Sequence, residues 1–467
     1  MVSQHCHWRT VEEWRDLNVP LSTPSNEASR MYDATLTQLT AFWDDPSVGG
    51  IPATLKLMMD ADPNFVVGQA MTVGLQLLGT GTSTRRDPKL KTTVEDLVTK
   101  AEGQPNLAPA EKKHVKAVKQ WADGYLREAC VTWEDILVDH PHDLLALRSA
   151  YMSYIYTGNS AQIRDSPARV LPEWSPSTPL YSFLLGMHAF GLEETNMYDR
   201  AEKQALRALE LNRHDTWATH SMSHVLEMTG QQDRGIHFLR STLDNWEVCG
   251  SLACHNWWHL ALHYIEKGEY LEALEIFDSE VKPRCVKKRE MLCIADAASL
   301  LFRLELEGVN VVNKWRDIQD VSESHLEDAV FAFNDLQLMM SCLGSGDKKA
   351  SQHLLQSLEE HVRNGQGTTR DVHSHTGLKI CKALTAYKEG DFAQATDIMY
   401  PLRYDVLTLG GSHAQRDVFN IFLIVSALQS PKAEHHRKAR ALLAERKGLR
   451  ENSPLTDRLI ARVTAFA

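Results

Sequence analysis

The sequence predicts an all-α chain, a right-handed α-solenoid of helix-turn-helix repeats. Three observations predict it: a recurring Gly–aromatic–Ala phrase, a fixed spacing between its copies, and apolar residues at helical periodicity with no strand-rich segment. In the phrase a glycine ends one helix, an aromatic opens the next, a small Ala follows, and a large apolar residue comes four positions later. Copies stand at Gly124-Tyr125 with Ala129 and Trp133, at Gly268 with Tyr270, Ala273 and Phe277, and at Gly390 with Phe392, Ala395 and Met399. Tyr198 and Ala201 repeat the phrase without the glycine. The Ala marks where the second helix of a pair crosses the first, since only a small side chain permits close approach there.

Ala129 and Ala201 are 72 residues apart, as are Ala201 and Ala273. That is close to twice the tetratricopeptide period of about 34, so each gap is expected to hide a degenerate copy. The first gap offers helical patterns at Leu144–Tyr156 and 161–171, split by Gly158-Asn159. The second offers Thr216–Met228 and 233–245, split by Gly230, with Gly235 in place of the crossing Ala. Later copies can be set on Ala350 and Ala439 with longer spacings. Before residue 110 the pattern is less regular, with helical periodicity over 25–42, 51–61 and 64–78. The expected organisation is an N-terminal helical region of degenerate repeats (1–109), tetratricopeptide-type repeats with His-rich first helices (110–285), and C-terminal helical repeats with a cap (286–467). Gly79-Thr80-Gly81-Thr82-Ser83 follows a helical pattern and lacks the Gly-Lys-Ser/Thr ending of a phosphate loop, so a turn is expected.

Over 467 residues, 43% hydrophobic and 24% charged content suits a large buried surface. A net charge of −11, evenly spread, gives no basic face for nucleic acid or an anionic membrane. The eight cysteines form no CxxC pair and sit mostly in apolar helical patterns, which predicts reduced, buried thiols. The N-terminal stretch has neither signal-peptide nor transit-peptide character, and the longest apolar stretch, 418–428, is too short to span a bilayer, so a cytoplasmic protein is expected.

First helices of such pairs line the concave face, and two consecutive ones are rich in histidine. THSMSHVLEMTG carries His220, His224 and Glu227 at offsets that share one helix face, and ACHNWWHLALHYIEKG carries His255, His259 and His263. His255 and His259 form the better pair, with His263 drifting around its helix. Two His pairs at i and i+4 with a carboxylate in reach are a geometry that suits zinc or another divalent transition ion, although the spacing is not HExxH. The same residues are also compatible with a hydrogen-bonded polar seam, or with donation to an anionic ligand. Glu194, Asp296 and Asp335 are further acidic candidates, and Trp217, Trp246, Trp257 and Trp258 flank the cluster. Of the adjacent Trp257 and Trp258, pointing about 100° apart, at most one lines a cavity with the histidines. In GGSHAQRDVFN, Ser412 is a candidate helix cap and Arg416 a candidate anion anchor.

Residues 14–459 resemble the tetratricopeptide repeat protein 38 family, on the strings PLSTPSNEASRMYDATLTQ, ADPNFVVGQAM, GLEETNMYDRAE, HSMSHVLEM, ACHNWWHLALHYIEKGEY, FNDLQLMM, GGSHAQRDVFN and NSPLTDRLI. The resemblance implies a soluble, intracellular α-helical repeat protein. It places the family's polar positions on His220, His224, Glu227, His255, His259, Glu194, Thr195, Asn196, Gln415, Arg416 and Asp417, with departures at His413 and Gln337. It carries no reaction with it. The reading is therefore a tetratricopeptide-repeat binding protein that engages a protein, peptide or small-molecule ligand in its concave groove. The alternative is a divalent-metal-dependent, hydrolase-like enzyme. In that scheme His220, His224, His255 and His259 are ligands of zinc or a similar ion, Glu227 is a ligand or general base, and Glu194, Trp258, Asp335, Gln415 and Arg416 contact the bound molecule.

Overall fold

The computed structural model describes residues 5–78 and 81–465 and contains no strand among them. The expected helices form with their ends within a residue or two of the sequence pattern: Asn26–Ala41, Gly50–Ala61, Val66–Leu77, Leu144–Tyr156, Ser160–Val170 and Thr216–Met228. The 233–245 segment departs from expectation. It breaks into Gln232–Ser241 and a single turn at Leu243–Trp246. Of the glycine-rich stretch, Gly79 and Thr80 lie outside the described residues, and 81–83 are non-helical.

The repeat punctuation has a local cause. Gly268 and Gly390 both take φ +84° between paired helices, a left-handed conformation that costs an L side chain about 1–2 kcal/mol. The copy that lacks glycine solves the same problem with Asn196, two residues before Tyr198, at φ +61°. The crossing residues behave as the spacing requires: Ala129, Ala201, Ala273, Ala395 and Ala439 have no exposed surface. At the degenerate copy between Ala201 and Ala273, a Cβ added to Gly235 would lie 2.4 Å from the His263 ring. His263 therefore occupies the space an alanine methyl would need, which is why this copy carries glycine.

The chain divides into two compact units. One comprises the described residues through Met222 with Asp244–Ala253 and Gln366–Thr368. In it Asn26–Ala41 pairs with Gly50–Ala61, Pro109–Ala122 with Leu126–Asp139, and Tyr181–Glu193 with Tyr198–Leu211. Its N-terminal core gathers Trp14, Tyr32, Met58 and Phe65. The other unit comprises Ser223–Leu243, Cys254–Gly365 and the described residues from Thr369 onward. There Met291–Leu306 packs on Ala332–Ser345 and on His413–Gln429, and Leu378–Lys388 pairs with Phe392–Leu402. The Thr216–Met228 and Gly250–Lys267 helices each contribute to both units. The units thus divide the chain differently from the three sequence segments, which followed the regularity of the repeat.

No helix among the described residues is long and apolar enough to cross a membrane. Seven cysteines are buried, free thiols, while Cys6, against expectation, is an exposed one.

Candidate metal centre

Within the second unit His224 stands on the Thr216–Met228 helix, and His255 and His259 one turn apart on Gly250–Lys267. All three are buried. One ligand atom from each lies within 4.8 Å of the others. The His224 and His259 rings approach to 4.4 Å between centroids, and His255 and His259 to 4.7 Å. Burial, then the neighbouring histidines, hold the His224 and His259 imidazoles well below their usual pKa, so both rings are neutral and keep a lone pair.

Two of these rings are oriented by carboxylates. His255 Nδ1 bonds Asp296 Oδ1 at 2.8 Å, and His259 Nδ1 bonds Glu227 Oε2 at 3.3 Å. A carboxylate on Nδ1 places the ring proton there and leaves Nε2 as the lone-pair nitrogen, the arrangement typical of metal-ligating histidines. Burial pushes the Asp296 carboxyl up, partly offset by His255. Trp258 is the tryptophan that walls the cluster. Its ring stacks on His255 at 5.0 Å and 11°, and its Nε1 donates to Ser299 Oγ at 2.9 Å. His263 is buried beside Gly235, and burial lowers its pKa to about 4.

Behind Glu227 lies a charge network that the sequence did not reveal. Arg450 Nη1 is 3.7 Å from Glu227 Oε1 and 3.3 Å from Asp417 Oδ2, while Arg446 Nη2 donates to Asp417 Oδ2 at 2.9 Å. Burial alone would raise the Asp417 pKa, but Arg446 and Arg450 outweigh it and hold the carboxyl far below the usual range. Arg303 is buried, donates to the Ala414 carbonyl, and is lowered to about 10 by burial. Arg303, Asp417 and Arg450 line a cavity of about 20 Å³ with Glu227, Glu266 and Glu307, room for about one water. Arg303 carried one legible signal: it is the only basic residue in MLCIADAASLLFRLEL.

The other expected site residues have contacts of their own. His220, one turn before His224 on the same helix, belongs to the first unit, where its ring lies 5.2 Å from Phe190 and 4.9 Å from Trp217. Glu194, also in the first unit, accepts from Ser160 Oγ at 3.4 Å at the end of the Tyr181–Glu193 helix. Asp335 Oδ2 is hydrogen-bonded to His373 Nε2 at 2.7 Å, and His373 Nδ1 lies 2.6 Å from the Thr369 carbonyl oxygen. Gln415 closes a capping box with Ser412, whose side chain caps the helix as the sequence suggests. Arg416, expected as an anion anchor, turns its guanidinium back onto the Gly411 carbonyl.

No family model matches the chain. Among solved structures, it is similar to a human IFIT1 dimer with m7Gppp-AAAA, at 13% identity and TM-score 0.42 over 87% of this chain and 95% of that one. A monomeric IFIT1 mutant with Gppp-AAAA gives 13% and 0.43 over 98% of each chain. The APC/C hetero-tetramer Cut9-Hcn1 gives 11% and 0.36 over 88% of this chain and 81% of that one. Likeness at this level carries no ligand or partner over to this chain.

Proposed function

We propose that this tetratricopeptide-type repeat protein binds its ligand through a divalent transition ion of the zinc class, held by Nε2 of His255 and His259 and by His224. The fourth position is left to the bound molecule. The observation that carries the reading is the pair of carboxylates on the Nδ1 atoms of His255 and His259, at 2.8 and 3.3 Å. A polar seam needs only that the imidazoles bond one another and Glu227, and it gives no reason for Asp296 on His255. Fixing two rings in the Nδ1–H tautomer, with a third neutral ring in reach, suits an ion. Tetrahedral zinc with Zn–N bonds of about 2.0–2.1 Å brings its nitrogens to roughly 3.4 Å of one another. One ligand atom from each of the three histidines lies within 4.8 Å of the others.

The resemblance to the tetratricopeptide repeat protein 38 family fits this reading through the same HSMSHVLEM and ACHNWWHLALHYIEKGEY strings. A hydrolytic role has less support, because Glu227, its candidate base, is engaged by His259 and faces Arg450. Glu227 and Asp296 are read as positioning residues.

Elemental analysis of full-length protein purified without an affinity tag tests the proposal. About one equivalent of a transition metal per chain is expected, falling below about a tenth in His259→Ala. Less than a tenth of an equivalent in the wild type, even after reloading with zinc, overturns it. Asp296→Asn keeps every ligand, and its expected signature is a 10–100-fold weaker affinity for the ion rather than its loss.

A further inference from the structure

The first unit holds a guanidinium that no described residue neutralises. Arg148 is the only charged residue in the helix LLALRSAYMSYIY, whose other residues are apolar, aromatic or small. The side chain is half-buried, yet it makes no hydrogen bond and no ion pair among the described residues. Its one ring contact is Phe42, whose centroid lies 4.5 Å from the guanidinium carbon. The groups that face it electrostatically are the hydroxyls of Tyr151 and Tyr156, with no carboxylate among them. Taking a guanidinium part-way out of water without a counter-ion is unfavourable. Two other buried charges of this unit are answered: Arg9 is paired with Asp33, and His114 bonds Asp143 at 2.9 Å.

The surroundings are built rather than incidental. Phe42 stacks on Trp217 at 5.4 Å and 6° between planes. Trp217 is fixed in turn by an Nε1 bond to Tyr151 Oη at 2.9 Å and by the edge of Phe190 at 5.3 Å. Tyr151 Oη donates onward to the Met187 carbonyl at 3.0 Å. Phe42 is itself held at φ +53°, a left-handed conformation that is uncommon for an aromatic residue. The result is a braced aromatic wall with a planar, five-donor cation laid against it, its N–H groups unengaged by any described residue.

We propose that Arg148 is the anchor for an oxyanion, carboxylate or phosphoryl, borne on a small molecule with an apolar body that rests beside Phe42. The guanidinium matches either oxyanion with two parallel N–H donors, and the ring supplies the apolar contact. All of these residues lie in the first unit, so the inference stands whether or not an ion is bound in the second.

Titration calorimetry of the full-length protein with phenylacetate, phenyl phosphate and neutral phenylacetamide tests it. At least one anion is expected to saturate, the amide is expected not to, and the preferred anion tells carboxylate from phosphoryl. Arg148→Met keeps an unbranched stem against Phe42 and removes the charge. It is expected to weaken the anion at least about tenfold, the loss of one good charge-assisted bond, with a melting temperature equal to or above that of the wild type because no partner is orphaned. Failure of both anions to saturate at millimolar concentration overturns the proposal, as does unchanged binding in Arg148→Met. Should that variant not fold, Arg148→Lys decides the matter: it keeps the charge and loses the planar fork, so a severalfold weakening supports the anchor and unchanged affinity overturns it. Metal content, measured on the same samples, reports on the second unit separately.

Discussion

Two buried-charge sites, one in each unit, are built in opposite ways. In the second, Asp417 sits between Arg446 and Arg450, Glu307 accepts from Arg458 and Arg462, and each histidine bonded through Nδ1 at the candidate centre faces a carboxylate. In the first, Arg148 is left against an aromatic ring with no counter-charge among the described residues. Paired groups are expensive to break because the survivor stays buried, whereas removing a charge that has no partner costs the fold little. Substitution should therefore separate the two: large losses of stability at the Asp417 network, and loss of binding without loss of stability at Arg148.

The largest effect is expected from Asp417→Ala. It leaves Arg446 and Arg450 buried without their shared carboxylate and should cost about 3–5 kcal/mol in denaturant unfolding. A loss under about 1 kcal/mol would mean that the network is solvated and the contrast between units is false. Because the native Asp417 pKa is depressed, its contribution is present above the unfolded carboxylate value of about 3.9 and is lost as pH falls further, through the folded value.

Next in size is acidification. His263 is lowered from 6.5 to about 4 in the folded protein, so below pH 6.5 the unfolded chain binds the proton and the native one does not. Stability is expected to fall by about 3 kcal/mol between pH 6.5 and 4 from this group and to level off below that. Denaturation midpoints across the range would show it, and His263→Leu should flatten that part of the profile. An unchanged slope in the variant would assign the acid sensitivity to other groups.

Gly235→Ala should cost about 1–3 kcal/mol, since its methyl would meet the His263 ring and a packed helix crossing resists an added carbon. In the His263→Leu background the penalty should shrink, a coupling that a double-mutant cycle can read. Smallest of all is Arg148→Met, expected within about 0.5 kcal/mol of the wild type or slightly more stable. A drop of 2 kcal/mol or more there would give Arg148 a structural job and erase the difference between the units.

By itself the sequence determined the repeat and the addresses of the histidines. Both are local properties. The left-handed turn at Gly268 and Gly390, the small residue at each crossing, and the i, i+4 placing of His255 and His259 depend on residues within a few helical turns. Even Gly235, at a degenerate copy, was legible as a crossing position. Tertiary structure decided which group answers which. Asp296 meets His255 across 41 residues, Glu227 meets His259 across 32, Asp335 is taken by His373 across 38, and Asp417 by Arg446 across 29. Several of these carboxylates were visible as acidic candidates, but in a helical chain many lie at similar repeat positions, and packing alone selects a partner. The same holds for Arg148. A lone charge in an apolar helix is readable in sequence, but whether a counter-charge arrives from another helix depends on where the neighbours pack. Local periodicity fixes directions around each helix axis, whereas charge compensation depends on distances between axes, which only the folded chain sets.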